Sequence, residues 1–452
     1  MNPGKCETTG ALAPLLPRSN PIDKGSEDGG GGGGGASISG AVFNVSTSMI
    51  GAGIMSIPAT LKVLGILPGF FLILLVALSV DVTVEFLLRY TGSADSSTTT
   101  YGGVMAESFG KTGSVALQIC VVVTNIGAMI IYMIIIGDVL SGNQSEGTFH
   151  LGILQEWFGI QWWNSRVFSL LFITLFVMLP LLLLRNIDSL RHASAISILL
   201  AVVFVVICST LAIFSIVDGR SQNVRLLPDF SSGLSVFDLF TTIPVYATAF
   251  GCHVSVHPVR AELSRASDMK PAVRLSLLLC VAVYSAIGFF GYLLFGESIM
   301  TDLLVNFDQS YNSAMGSVIN DVVRLSYAVH LMMVFPVINY TLRANLDELL
   351  FPNKHLLAND SVRFVGMTCV LLSLVYLAAI AIPDIWYFFQ FMGTTTVMCI
   401  MFLFPCAIIL RDKHGIAGRG DKVMASVVVI LAVGTSLIAI SSNVYNFMSN
   451  NK

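Results

Sequence analysis

Asn44-Val-Ser-Thr-Ser-Met-Ile-Gly-Ala-Gly-Ile-Met-Ser-Ile-Pro58 lies within the first long apolar segment of the chain. It places hydroxyls at Ser46, Thr47 and Ser48, a Gly-x-Gly at Gly51 and Gly53, and a proline at Pro58, where an unbroken membrane helix would otherwise run. A helix in lipid satisfies its own backbone, so an interruption survives only where it lines a cavity or packs on protein. In transporters built from broken helices, such places hold the substrate.

Composition agrees with a membrane setting. The chain is 55% hydrophobic and only 11% charged, with mean hydropathy +0.80, whereas soluble domains carry about 25% charged residues. A net charge of -3 excludes nucleic-acid binding as the main activity. Of the eight cysteines, Cys6 lies in a polar tail, while Cys120, Cys208, Cys252, Cys280, Cys369, Cys399 and Cys406 fall in apolar segments. They read as small packing residues, not a disulfide framework. Residues 1–36 are polar and end in a glycine run, Gly29 to Gly35, which predicts a disordered cytosolic tail. No cleavable signal peptide is expected ahead of the first span, which would act as its own anchor.

Apolar segments near 38–64, 66–90, 113–140, 166–185, 191–216, 235–260, 272–295, 314–339, 362–382, 385–410 and 423–446 predict about eleven spans, since ~20 residues cross a bilayer. The Pro383-Asp384 connection predicts a tight hairpin between the ninth and tenth. With the N-terminus cytosolic, 18 lysines and arginines fall on the cytosolic side and five, Lys62, Arg166, Arg220, Arg225 and Lys452, on the other; Arg324 lies within the eighth span. That asymmetry sets the orientation. The sequon Asn143-Gln-Ser145 then faces the lumen or exterior, and Asn359-Asp-Ser361 the cytosol.

The sixth segment repeats the pattern of the first. It reads Thr248-Ala-Phe-Gly-Cys-His-Val-Ser-Val-His-Pro258, with Gly251 seven residues before Pro258 as Gly51 is before Pro58. Paired discontinuities in two five-span halves are what an inverted-repeat transporter predicts. The expected halves are 37–216 and 234–411, followed by an eleventh helix at 422–446. A half-helix beginning at the Gly51-Ala52-Gly53 break offers free N–H groups and about half a positive charge to a carboxylate. Carbonyls around Ala249, Phe250 and Gly251 offer acceptors to an ammonium group. Together they describe an α-amino-acid site, flanked by Ser48, Met49 and Ile50, with Met49, Ile50 and Phe250 making it partly apolar. The alternative is that Gly51 and Gly53 only let helices pack closely.

Ionisable residues inside spans are functional hypotheses in their own right. His253 sits at the second break, where it could order the backbone by bonding a carbonyl or could handle substrate or protons. His330, midway along the eighth span, reads as a proton site or a packed, hydrogen-bonded residue. Asp321 and Arg324 are three apart and are expected to pair. Asp81, Glu85 and Arg89 recur every fourth residue and read as a salt-bridged helix end or gate. His253, His257 and Glu262 make a poor metal set, because Pro258 disrupts the helix after the histidines. No catalytic motif is present, so neither an enzyme nor a cofactor is expected.

Phe43-Asn44-Val-Ser46 with Gly51-x-Gly53-Ile54-Met55 and Pro58, and Ala249-Phe250-x-Cys252-His253 with Pro258 and Glu262-Leu263, resemble the amino acid/auxin permease superfamily. The similarity runs through residues 37–446. It is closest to the vacuolar amino-acid transporter (AVT) and sodium-coupled neutral amino-acid transporter branches. The Gly-rich tail and compact loops are similar to plant AVT members. The resemblance implies an all-α membrane protein with a LeuT-like arrangement of ten inverted-repeat spans plus one peripheral helix, functional as a monomer in lipid. It also implies alternating access, with spans 1, 2, 6 and 7 rocking against 3, 4, 5, 8, 9 and 10. Carried over, Gly51, Ala52 and Gly53 take the substrate carboxylate and Ala249, Phe250 and Gly251 its amine, with Thr47, His253 and His330 as coupling or gating candidates.

The chain departs from the sodium-coupled branch at Thr47, where that branch has an Asn, and at Met332, Met333 and Val334, where it has a hydroxyl. Thioethers and valine give a hard cation no oxygen. A proton or the amino-acid gradient is therefore the expected driver, across the vacuolar membrane. Two alternatives stand beside this: a sodium-coupled transporter at the plasma membrane, and an amino-acid sensor of the same fold.

Overall fold

The computed structural model of the protein describes residues 37–91, 99–145, 148–183, 187–232, 235–307, 314–351, 357, 360–382 and 385–450. The expectations for the 1–36 tail, for Asn359 and for the Pro383-Asp384 hairpin lie outside these residues. Among the described residues ten helices are long and apolar enough to cross a membrane, and a bent pair, Ile38–Met49 and Gly53–Leu64, makes an eleventh crossing with a 59° break.

The first helix starts where the Ser37 side chain accepts from the Gly40 N–H at 3.2 Å, an N-cap that satisfies one orphan donor. It ends because Ser48 turns its hydroxyl onto the Val45 carbonyl at 2.7 Å and the glycines that follow are poor helix formers. The second to fifth spans are Ile66–Thr91, Tyr101–Ser141, Arg166–Leu183 and Ile187–Val217. The sixth is Val236–Glu262, broken between Ile243–Ala249 and His253–Glu262. Met269–Phe295, Ala314–Leu350, Ser361–Ala381, residues 385–411 and Arg419–Asn450 follow.

Two spans run beyond the apolar segments that announce them. The third begins at Tyr101, with a kink at Gly110 (φ 69), and the eighth continues to Leu350. Hydropathy marks where lipid ends, whereas a helix continues into water wherever its polar residues are solvated. A two-stranded antiparallel ribbon, Asn143–Ser145 with Thr148–His150, follows the third span.

The third and eighth spans cross at the centre, and every residue from Ile130 to Ile136 is buried. The eighth also packs on the fifth, both halves of the first pack on the seventh, and Ile243–Ala249 packs on the tenth. That last approach is close enough that a Cβ on Gly393 would meet the Pro244 carbonyl at 2.2 Å. The eleventh span leans on the tenth and on the start of the sixth. Exposed Phe71 and Leu78, Phe176, Leu199 and Phe214, and Ile430 form the outer apolar surface, as a lipid-facing shell requires.

We call the end of the molecule bearing Ile38 the near face and the opposite end the far face. At the near face Asp81 pairs with Arg274 at 3.1 Å, Glu85 with Lys270 at 2.8 Å, and Arg89 with both Glu85 and Asp421 at 2.9 Å. The Asp81–Arg89 ladder thus clips the second span to the seventh and eleventh. Tyr90 donates to Asp412 at 2.5 Å, and this bond holds the Asp412 carboxyl down at about 2. The expected Asp321–Arg324 pair does not form. Arg324 instead takes Glu156 and the Leu151 carbonyl, and Asp321 accepts from the Trp157 indole at 2.8 Å. The segment after the third span folds back over the eighth and supplies a closer carboxylate.

Candidate functional site

The two breaks lie against each other at mid-molecule. A continuous helix would satisfy the Met49 carbonyl from within; here the break orphans it. The Tyr284 hydroxyl, from the seventh span, stands 2.7 Å from that carbonyl and 2.8 Å from the Ala249 carbonyl at the end of Ile243–Ala249. One phenol therefore serves both half-helix ends. Tyr327, from the eighth span, donates to the Gly51 carbonyl at 2.5 Å. Tyr132, from the third, sets its hydroxyl beside Gly51. All three tyrosines are buried.

Beyond these contacts the break keeps free polarity. Among the described residues the Gly51 and Gly53 N–H groups donate to no backbone carbonyl, the next bonds being Ile54 N–H to Gly51 and Met55 N–H to Ala52. In the sixth span, the Phe250 and Gly251 carbonyls accept no backbone hydrogen bond among the described residues. N–H groups thus open from one break and carbonyls from the other.

Space is tight. A Cβ on Gly51 would fall 2.0 Å from the Tyr132 hydroxyl, and one on Gly53 2.8 Å from the Ala249 Cβ. The Phe250 ring packs edge-on against Tyr284, centroids 5.0 Å apart. Met49 and Ile50 are buried, while Ser48 and Gly251 are half-buried. The structure therefore brings Met49, Gly53, Ala249 and Phe250 together at Tyr284, with Gly51 against Tyr132, whereas Gly251 looks onto Met401 of the tenth span.

Two of the three coupling candidates are tied to neighbouring spans. His253 Nε2 lies 2.9 Å from the Thr83 hydroxyl, which itself donates to the Ser79 carbonyl at 2.9 Å. Thr83 must then accept, so Nε2 carries the proton and the neutral tautomer is set. His257 repeats this with Thr91 at 2.9 Å. Both histidines fasten the sixth span to the second, and His253 bonds a hydroxyl in place of the expected carbonyl. His330 Nδ1 lies 2.9 Å from the Ser197 hydroxyl and 2.7 Å from its carbonyl, tying the eighth span to the fifth. The Thr47 and Ser46 hydroxyls are buried and have no hydrogen-bond partner among the described residues.

Burial is lopsided. Every residue from Gly51 to Leu61 is buried, whereas Asn44 and Ser48 in the near half of the first span, and Val254 and Ser255 in the near half of the sixth, are half-buried. On the far side Thr60 bonds Tyr246 at 2.6 Å, joining the far halves of the two broken spans. The far face is sealed.

Tyr132, Tyr284 and Tyr327 escaped the sequence reading. A phenol in mid-membrane needs a polar partner, and that was the available signal.

The profile described as "Transmembrane amino acid transporter protein" matches residues 34–448. The chain is 54% identical to Amino acid transporter AVT6C of Arabidopsis thaliana, over 96% of this chain and 98% of that one. Among solved structures it is similar to the Eremococcus coleocola manganese transporter, with a TM-score of 0.61, 14% identity, and coverage of 92% of this chain and 88% of the other. It is also similar to MhsT in complex with L-phenylalanine, with a TM-score of 0.54, 14% identity, and coverage of 91% and 100%. Those two share its LeuT-like fold.

Proposed function

The chain belongs to the transmembrane amino acid transporter protein family, and from that premise we propose that it moves amino acids across the vacuolar membrane by alternating access, driven by protons or by the amino-acid gradient. The observation that carries the site is the junction of the two breaks under Tyr284, each of which leaves backbone groups without a backbone partner among the described residues. The substrate carboxylate sits on the N–H groups of Gly51, Ala52 and Gly53, where the glycines let it approach. The ammonium sits on the carbonyls of Phe250 and Gly251. Tyr284 has one proton for two carbonyls, so the Ala249 carbonyl it releases becomes a third acceptor. A relative of the same fold is solved with L-phenylalanine, which supports a zwitterionic ligand.

The moving body is spans 1, 2, 6 and 7. The Thr83–His253 and Thr91–His257 bonds and the packing of the first span on the seventh support this grouping. Residues 37–216 and 234–411 form the two repeats and 422–446 the peripheral helix. The near face is cytosolic, by its excess of lysine and arginine, and the state described is closed toward the lumen.

A sodium-coupled transporter is the second reading. The buried, unpartnered hydroxyls of Ser46 and Thr47 favour it, as oxygen donors suit a hard cation. Uptake of an amino-acid panel into proteoliposomes under imposed pH or sodium gradients separates the two. Flux that follows the pH jump and ignores sodium is expected. Flux that requires sodium supports the second reading, and no flux of any amino acid contradicts both.

A further inference from the structure

Between the seventh and eighth spans, the short helix Leu303–Asn306 packs at the far face on Gly53–Leu64 and on the third span. The segment is bolted to the first span: Ser56 donates to the Thr301 carbonyl at 2.9 Å and Lys62 Nζ to the Ile299 carbonyl at 3.3 Å. Asn306 closes it on itself, accepting from the Met300 N–H and donating to the Ser298 carbonyl, both at 2.9 Å. It forms a plug over the far half of the broken first span.

Asp302 sits inside that plug, 4% exposed. Its Oδ1 caps the short helix by accepting the Leu304 N–H at 2.9 Å, while Oδ2 is buried with no hydrogen-bond partner among the described residues. The surrounding charges do not supply one. Asp138 on the third span is held by Arg166, and Arg324 on the eighth by Glu156 and the Leu151 carbonyl. Lys62 on the first span is turned to Ile299, and Glu297 after the seventh is held by Arg225 at 2.6 Å. A carboxylate stripped of water, with one bare oxygen and another carboxylate nearby, is far better accommodated as the neutral acid.

We propose that Asp302 is a proton-binding site of the far-face gate, taking a proton from that compartment each time the plug closes and returning it when the plug opens. Burial, aided by the Asp138 charge, pushes the Asp302 carboxyl up to about 7 in the closed arrangement, against about 3.9 when hydrated. The closed plug is therefore fully stabilised at pH values below the hydrated value, and loses that stability as pH rises through about 7. Acid on the far side favours closure there, and so favours opening toward the near face. The proton returns to the side it came from, because the sealed helix Gly53–Leu64 separates Asp302 from the near face. Asp302 thus sets the pH dependence of the gate and does not carry charge across. This rests on the alternating-access reading.

Hydrogen–deuterium exchange of the segment 299–306, corrected for intrinsic rates and measured on the full chain in nanodiscs, tests the site. From pH 6 to pH 8 the wild-type segment should open about tenfold more, and Asp302→Asn, which keeps the capping oxygen but cannot ionise, should show no such rise. Should that variant not fold, Asp302→Ser retains a capping oxygen and makes the same test. A wild-type segment indifferent to pH, or a variant that keeps the wild-type rise, overturns the proposal. Amino-acid flux of the same purified protein in proteoliposomes separates the two readings. Flux absent from wild type overturns the transport reading, whereas flux present without the exchange difference overturns the proton site alone.

Discussion

Gly53 and Ala249 pack so closely that a Cβ built on the glycine would lie 2.8 Å from the alanine Cβ and 2.9 Å from its Cα. The residues are far apart in sequence, yet each belongs to the break of its own span. Their contact brings the two breaks together.

Gly53→Val should therefore push the breaks apart. Backbone atoms stand in the way, and they do not yield as a side-chain end would. We expect amino-acid flux to fall at least ~tenfold while the protein still inserts, since a new side chain at a close backbone approach removes the space a ligand needs. Gly434→Ala is the control, because nothing lies within 4 Å of a Cβ there. Flux in proteoliposomes, normalised to inserted protein, checks both; wild-type flux in Gly53→Val would contradict the close-contact site.

Tyr284→Phe keeps the ring that Phe250 packs on and removes the one hydroxyl that, among the described residues, bonds the carbonyls of Met49 and Ala249. A buried carbonyl left unpaired costs about 1–3 kcal/mol. The variant should melt at a lower temperature, and a bound amino acid should restore more of that loss than it adds to wild type, because its ammonium replaces the missing donor. Thermal shift with and without substrate reads this. Equal shifts in the two proteins would count against an ammonium at these carbonyls.

His253 fastens the sixth span to the second through Thr83. If that is its whole role, His253→Asn and Thr83→Val should each destabilise by about 1 kcal/mol, and the double variant by little more than either alone, as expected for two partners in one bond. The pH profile of flux should keep its midpoint in all three. A displaced midpoint in His253→Asn would make the histidine part of the proton pathway.

Much of this was legible in the chain. Hydroxyls, glycines and a proline inside apolar segments mark the breaks, because lipid tolerates such residues only under special conditions. What holds the breaks was not. Tyr284 lies 235 positions from Met49, and Tyr327 lies 276 from Gly51, so no local pattern relates them. Arg324 shows the same limit. Helical spacing offers Asp321 as its partner, but Glu156 is carried in from elsewhere and takes the bond. Asp302 reads as an ordinary loop acid, since hydropathy carries no record of which loop folds into a plug.

The central claim is that a zwitterion lies between the two breaks with its carboxylate on the first span. The most direct measurement is a structure of the protein with a transported amino acid bound. The account predicts the carboxylate within hydrogen-bond distance of the Gly51, Ala52 and Gly53 N–H groups, and the ammonium on the carbonyls of Phe250 and Gly251. An amino acid bound away from both breaks, or with its two ends exchanged, would contradict it.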